Sequence, residues 1–245
     1  MIADHSAIVA RGMGIRRAGR WLLRPADLDV TGGVIGVAGP PGTGKSTLLA
    51  TFATLRRPHV GRLEILGHEI DGARGLRAVR ARIGYLPHRF CRTHGFTVSD
   101  LVTYSAYYKR VPAGAAKAML ERLELGEVAT TDLALLPADV RLRAGLAASC
   151  VHDPDLVLLD EPLTGLGEAE AAALIPLLGS LAPTVVVTAR RMEDLTGWCD
   201  RLFVLGRGRM VEPAEPDPAA VPAAVAEPAA QPRRPRPVLG RAVCV

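Results

Sequence analysis

Lysine is nearly missing from this chain of 245 residues: Lys45, Lys109 and Lys117 are the only ones, although Ala, Arg, Gly and Pro are abundant. Aromatic residues are also scarce, at 4%. Cys91, Cys150, Cys199 and Cys244 form neither a C-x-x-C pair nor a regular spacing, which speaks against a disulfide framework or a zinc ribbon and for free thiols. The histidines show no metal-ligand spacing. No apolar run approaches the roughly 20 residues a membrane span needs, and residues 1–17 lack the apolar centre of a signal peptide. The expectation is a protein soluble by itself, whose membrane role, if it has one, comes through a partner. The net charge of +5 is mild and its basic residues are scattered rather than striped, so no nucleic-acid partner is expected.

What is present is an ordinary core-forming balance, 49% hydrophobic and 22% charged. Short β-like runs (Ala7 to Ala10, Trp21 to Val30, Val34 to Ala38, Arg62 to Leu66) alternate with Gly and Pro breaks, interrupted by a helical segment from Ser46 to Leu55. From Phe96 the texture turns helical. Thr97-Val-Ser-Asp100 fits a capping box, and AAKAMLERLEL follows with helical spacing. After Asp155 the alternation returns as LVLLD, EAEAAALIPLLGSLA, TVVVTA and a hairpin-like RLFVLGRGRMV. This pattern predicts an α/β fold: a core of mostly parallel strands, an antiparallel β subdomain, and a helical subdomain inserted at about 96–144; the glycine-rich GPPGTGKS run at residues 39–46 makes that core a P-loop NTPase core. Residues 212–245 are rich in Pro and Ala and read as a disordered tail.

Gly39-Pro40-Pro41-Gly42-Thr43-Gly44-Lys45-Ser46 matches G-x-x-x-x-G-K-[ST], between the apolar run VIGVA and the helical STLLATFATL. Glycines at 42 and 44 permit backbone angles that turn successive amides inward around phosphates, and the helix start adds partial positive charge. Lys45 then reaches the terminal phosphates and the Ser46 hydroxyl ligates Mg²⁺, with Thr47 completing the ATP-binding set Gly39 to Thr47. A second motif, LVLLDEP, reads as a buried parallel strand that delivers Asp160 to its C-terminal edge, where ligands bind in such sheets. Asp160 is expected to hold Mg²⁺ through its water shell, and Glu161 to act as the catalytic base toward water.

The long interval between Lys45 and Asp160 suits a core with an inserted subdomain. In order along the chain, GPPGTGKSTLL, GRLEILGHEI, RARIGYLPHRF, GLAASCVHDPDLVLLDEPLTGL and CDRLFVLGRGRMV resemble the ATP-binding subunit of an ABC transporter over about residues 7–211. The resemblance implies ATP and Mg²⁺ as cofactors, a transmembrane transporter subunit as partner, and a second ATP-binding subunit facing the first in a homo- or heterodimer. It further implies a cytoplasmic location, peripheral on the inner face of the membrane through that partner. Each ATP in such a pair lies between one chain's phosphate loop and the other's signature loop.

Several positions depart from that pattern. The signature loop falls on Leu136-Pro-Ala-Asp-Val140, where Pro137 replaces a serine that donates to the γ-phosphate and Ala138 and Asp139 replace two glycines. Pro and Asp are nonetheless good chemistry for starting a helix. His88 stands where a glutamine usually contacts Mg²⁺ and is a further metal candidate, though an imidazole suits Mg²⁺ less than an amide oxygen. Ala189 occupies the place of a histidine that contacts the γ-phosphate. Arg190 beside it is read as an exposed arginine unrelated to the site. Gly167 replaces an aspartate, and no aromatic near Met13 offers itself to adenine. The expectations are retained Mg-ATP binding and weak hydrolysis by a homodimer. A partner chain with an intact signature could complete the site on this chain's loop. The alternatives are a non-hydrolysing regulatory ATP-binding subunit and a soluble P-loop kinase. Tyr104, Tyr107 and Tyr108 are read as packing of the helical subdomain against the core rather than as a docking patch.

Overall fold

The structure, a computed structural model, describes residues 6–90 and 95–213. The tail from residue 214, Cys91 and Cys244 lie outside those residues. Two sheets carry the fold. The smaller is antiparallel and built from β1 (Ile8–Arg17), β2 (Arg20–Val30), β4 (Val60–Ile65) and β5 (His68–Glu69), in the order β2-β1-β4-β5. The larger orders β3 (Gly33–Ala38), β6 (Ile83–Leu86), β7 (Leu156–Leu159), β8 (Thr184–Ala189), β9 (Arg201–Gly206) and β10 (Arg209–Val211) as β10-β9-β3-β8-β7-β6. All its pairs are parallel except the β9–β10 hairpin, which turns through Arg207 and Gly208, both at positive φ as a tight two-residue turn requires.

Strands β7 and β8 are buried along their whole length, which is why they read as unbroken apolar runs rather than alternating ones. Alternation survives as a choice between two cores. Val157, Leu159, Val185 and Val187 face the helical side, whereas Leu156, Leu158 and Val186 join Ile35 and Val37 against Leu48, Leu49 and Phe52 of α1 (Lys45–Phe52). That second cluster extends to Ile8 and Ile65, so the small sheet and the large one share it. Helix α1 is shorter than the segment expected to Leu55: it stops at Phe52, and Thr54 adopts φ 60°.

Three further helices follow β6 and its loop: α3 (Val98–Lys109), α4 (Ala113–Arg122) and α5 (Ala138–Cys150). The capping box opens α3 as read, with Thr97 Oγ1 accepting from the Asp100 amide and the Asp100 carboxylate accepting from the Thr97 amide. Helix α2 (Ala73–Arg82) precedes β6, and α6 (Glu168–Gly179) joins β7 to β8. The tyrosines contradict their expected packing. Val98, Val102 and Ala106 form the buried stripe of α3, whereas Tyr104, Tyr107 and Tyr108 are 56%, 79% and 73% exposed.

The end of α3 is tied to the sheet. Lys109 Nζ donates to the carbonyls of Arg80 (2.7 Å) and Ile83 (2.9 Å) and lies 3.1 Å from His152 Nε2. Burial, then the Lys109 charge, pushes His152 down to about 4; burial pushes Lys109 down to about 8. The folded protein therefore favours a neutral imidazole. As pH falls from about 6.5 toward 4 the unfolded chain takes up a proton that the folded one refuses, and stability present above 6.5 is lost across that window. The loss should be on the order of 1–2 kcal/mol, allowing for partial solvent contact of the ring. Melting temperature against pH checks this: His152→Gln should flatten the acid limb, and an unchanged limb would refute the assignment.

Candidate nucleotide site

Strand β3 runs buried to Ala38 and leaves the sheet through residues 39–44 into α1. The loop is shaped by missing side chains. Gly42 and Gly44 stand at φ 82° and 113°, where other residues are strained. A Cβ at Gly44 would meet the Leu22 Cβ at 2.9 Å, and one at Gly39 would strike the Leu205 carbonyl oxygen. Gly44 is also the N-cap of α1, so no side chain from it covers the free amides of the first turn, and that turn holds no acid. Thr43 folds back on the loop, its Oγ1 donating to the Pro40 carbonyl at 2.9 Å. Pro40 and Pro41 are exposed, Ser46 is exposed on the first turn of α1, and Thr47 is buried behind it.

Lys45 is only 3% exposed. Its Nζ donates to the carbonyls of Gly39 and Pro40 and lies 3.1 Å from Glu161 Oε1. The cradle's cation is thus held inside the protein by a carboxylate, in the place an anionic ligand would claim.

Parallel pairing brings the acids alongside. Leu159 of β7 is in register with Val187 of β8, so residues 160–161 and 188–190 emerge together at one sheet edge. Thr188 joins them: its Oγ1 donates to Asp160 Oδ1 (3.1 Å) and accepts from the Glu161 amide (2.9 Å). Asp160 is 3% exposed, and its amide donates to the Leu86 carbonyl. Glu161 sits at φ 49°, a backbone angle that side chains rarely adopt. Its second oxygen, Oε2, accepts from Arg190 Nε at 2.9 Å and lies 4.0 Å from His88 Nδ1. Burial alone would raise the Glu161 carboxyl, but hydrogen bonds from Arg190 and Lys45, with their charges, hold it below the usual carboxylate range.

Arg190 therefore corrects the sequence reading: its side chain is 48% exposed, yet it is bound to the acid the motif supplies. Thr188 was missed as well. The only trace in the sequence is a Thr that interrupts the aliphatic run of β8 one residue before its end. Met13 is fully buried and offers nothing to stack on a base. The signature position forms the start of α5, with Pro137 exposed as N-cap and Asp139 in the first turn. Two cavities meet at Glu161. One of about 660 Å³ runs past His88, Arg141 and Asp160; the other, about 1050 Å³, past Pro40, Pro41 and Arg190.

The loop, its buried lysine and the two acids thus meet at one sheet edge. The family described as ABC transporter matches residues 23–164. The chain belongs to the ABC transporter family. It is 32% identical over 214 residues to the daunorubicin resistance ATP-binding protein DrrA3 of Streptomyces coeruleorubidus, covering 84% of this chain and 67% of that protein. To the phosphonates import ATP-binding protein PhnC of Anaeromyxobacter dehalogenans it is 31% identical over 225 residues, covering 85% of this chain but 45% of that protein. The chain thus spans less than half the length of the second relative. Its fold is that of cbiO1 from Clostridium perfringens, part of the ABC transporter complex cbiONQ. The TM-score is 0.73 at 22% identity, over 84% of this chain and 87% of that one. Members of the family generally bind ATP, usually with Mg²⁺, and hydrolyse it. Among the described residues no helix is long and apolar enough to cross a membrane.

Proposed function

We propose that this chain is the ATP-binding subunit of an ABC transporter, binding Mg-ATP at residues 39–47 and coupling its binding and hydrolysis to a membrane-spanning partner. One observation carries the reading. A glycine-shaped loop ends on a buried lysine whose charge is met by a neighbouring acid and two carbonyls, which suits a group waiting for phosphate. The amides of 39–44 and Lys45 bind the phosphates. Ser46 and Asp160 would hold Mg²⁺, with His88 as a further candidate, and the ion would neutralise phosphate charge. Glu161 accepts the proton of the attacking water at a carboxylate oxygen. The unit is residues 1–211 with the helical subdomain at about 96–144, followed by the 212–245 tail. It sits on the inner face of the membrane, paired with a second ATP-binding subunit. Titration calorimetry with Mg-ATP tests the first claim: saturable binding is expected, and its absence would refute it.

The exposed tyrosines of α3 suit the membrane partner, because a phenol ring offers apolar area with a polar tip. Tagged protein drawn from detergent-solubilised membranes should bring a multi-span subunit with it, and Tyr107→Ser with Tyr108→Ser should reduce that recovery severalfold. Equal recovery would remove α3 from the docking surface. A second reading, a regulatory subunit that binds ATP without hydrolysing it, is favoured by Asp139 at the start of α5 and by the double cation hold on Glu161. Turnover measured with and without the partner chain separates the two.

A further inference from the structure

We propose that Arg190 is a terminal-phosphate receptor, held on Glu161 while the site is empty and transferred to the γ-phosphate when ATP enters, so that it makes the site prefer ATP to ADP. The inference rests on the ATP-binding reading above and adds a residue to it.

The geometry has three parts. First, one carboxylate serves two cations, with Lys45 on Oε1 at 3.1 Å and Arg190 on Oε2 at 2.9 Å. A ligand richer in negative charge than a single carboxylate competes for both cations at once. Second, Arg190 is anchored at the cradle. The Gly39 amide, first in the loop, donates to the carbonyl of Ala189 at 3.2 Å, so the backbone one residue before Arg190 is fixed to the loop itself. Its side chain lines the 1050 Å³ cavity together with Pro40 and Pro41 of that loop. Third, Arg190 is the partner free to move. Glu161 is pinned through its amide to Thr188 Oγ1 and its side chain is 10% exposed, while the Arg190 side chain is 48% exposed. Only Nε of its guanidinium is committed to a hydrogen bond among the described residues, which leaves the forked N–H groups for a phosphate.

The consequence is a selectivity that depends on the third phosphate. An ADP bound through Lys45 and the loop leaves Arg190 on Glu161, whereas ATP draws it away. Calorimetric titration of the full chain with Mg-ATP and Mg-ADP, for the wild type, Arg190→Ala and Arg190→Lys, tests this. Arg190→Ala should weaken ATP by about tenfold and leave ADP within about twofold, collapsing the ATP preference. Arg190→Lys, which keeps the charge, should restore part of it. A parallel loss of both nucleotides in Arg190→Ala, or an unchanged ratio, overturns the proposal while leaving ATP binding in place. A wild type that binds neither nucleotide overturns the ATP-binding reading and this inference with it. Melting without nucleotide verifies that each variant is folded. Should the alanine variant not fold, Arg190→Lys decides: its ATP-to-ADP preference should fall by about threefold with ADP binding preserved, because an ammonium lacks the guanidinium fork, and an unchanged ratio or a parallel loss of both nucleotides refutes the proposal.

Discussion

Replacing Lys45 with alanine is expected to weaken Mg-ATP binding by a hundredfold or more, the largest single effect any substitution in this site should have. Two consequences act in the same direction. The first is the loss of an ammonium that can meet two phosphate oxygens, each charge-assisted contact contributing roughly 1.5–3 kcal/mol. At about 1.4 kcal/mol per factor of ten, even the lower end exceeds a hundredfold. The second is the exposure of Glu161. With Lys45 removed its Oε1 loses its cation and the acid then faces the incoming phosphates with Arg190 alone beside it. The fold should survive, because α1 is held by Leu48, Leu49 and Phe52 on its buried face rather than by Lys45. Calorimetry on the variant, with a melting curve to show that it is folded, is the measurement. Binding within about threefold of wild type would mean the buried lysine is structural and the loop is not a nucleotide cradle.

That lysine and its loop were legible before any coordinates because their chemistry is local. The loop turns left-handed at residues 42 and 44, and the motif supplies glycine, which adopts that conformation without strain, at both. The same holds for the Thr97–Asp100 capping box and the Arg207–Gly208 hairpin turn, whose partners lie within a few residues. What escaped the sequence depends on neighbours in space. The Lys45–Glu161–Arg190 bridge requires β7 and β8 to be adjacent and in register, a fact of strand order that no window contains. Helix α3 shows a different failure. Val98, Val102 and Ala106 make one helical stripe, and Tyr104, Tyr107 and Tyr108 make another at similar spacing. Periodicity reports that a helix has an apolar face, and with two such faces it does not say which is covered. Helix α2 was unread although Val79, with Leu76 one turn before it, packs on the core: Gly75 and four arginines in ten residues gave the segment the texture of a loop.

Restoring the start of α5 should produce the other large effect, in the opposite sense: Pro137→Ser with Ala138→Gly and Asp139→Gly is expected to raise ATP turnover of the purified chain by about ten- to a hundredfold. In the proposed face-to-face pair this helix start would be what one chain offers to the nucleotide on the other. Pro137 is its N-cap, without a hydroxyl or an N–H to give, and Asp139 lies in the first turn. A carboxylate about 4 Å from a single unit of phosphate charge costs about 4 kcal/mol at an effective dielectric near 20. Mg²⁺ and salt reduce that figure, so the expected gain is smaller than the thousandfold it would imply. The stability cost opposes the change. Two glycines in an exposed first turn lose about 1 kcal/mol each and Asp139 no longer complements the helix start, so the melting temperature should fall by several degrees while turnover rises. Asp139→Asn separates charge from hydroxyl: it should recover part of the gain at low salt, and progressively less of a difference from wild type should remain as salt is added. Should the repaired chain bind ATP and still turn over at the wild-type rate, the block would lie on the other side of the nucleotide, at Ala189 and the cation-held Glu161, and the helix start would be acquitted.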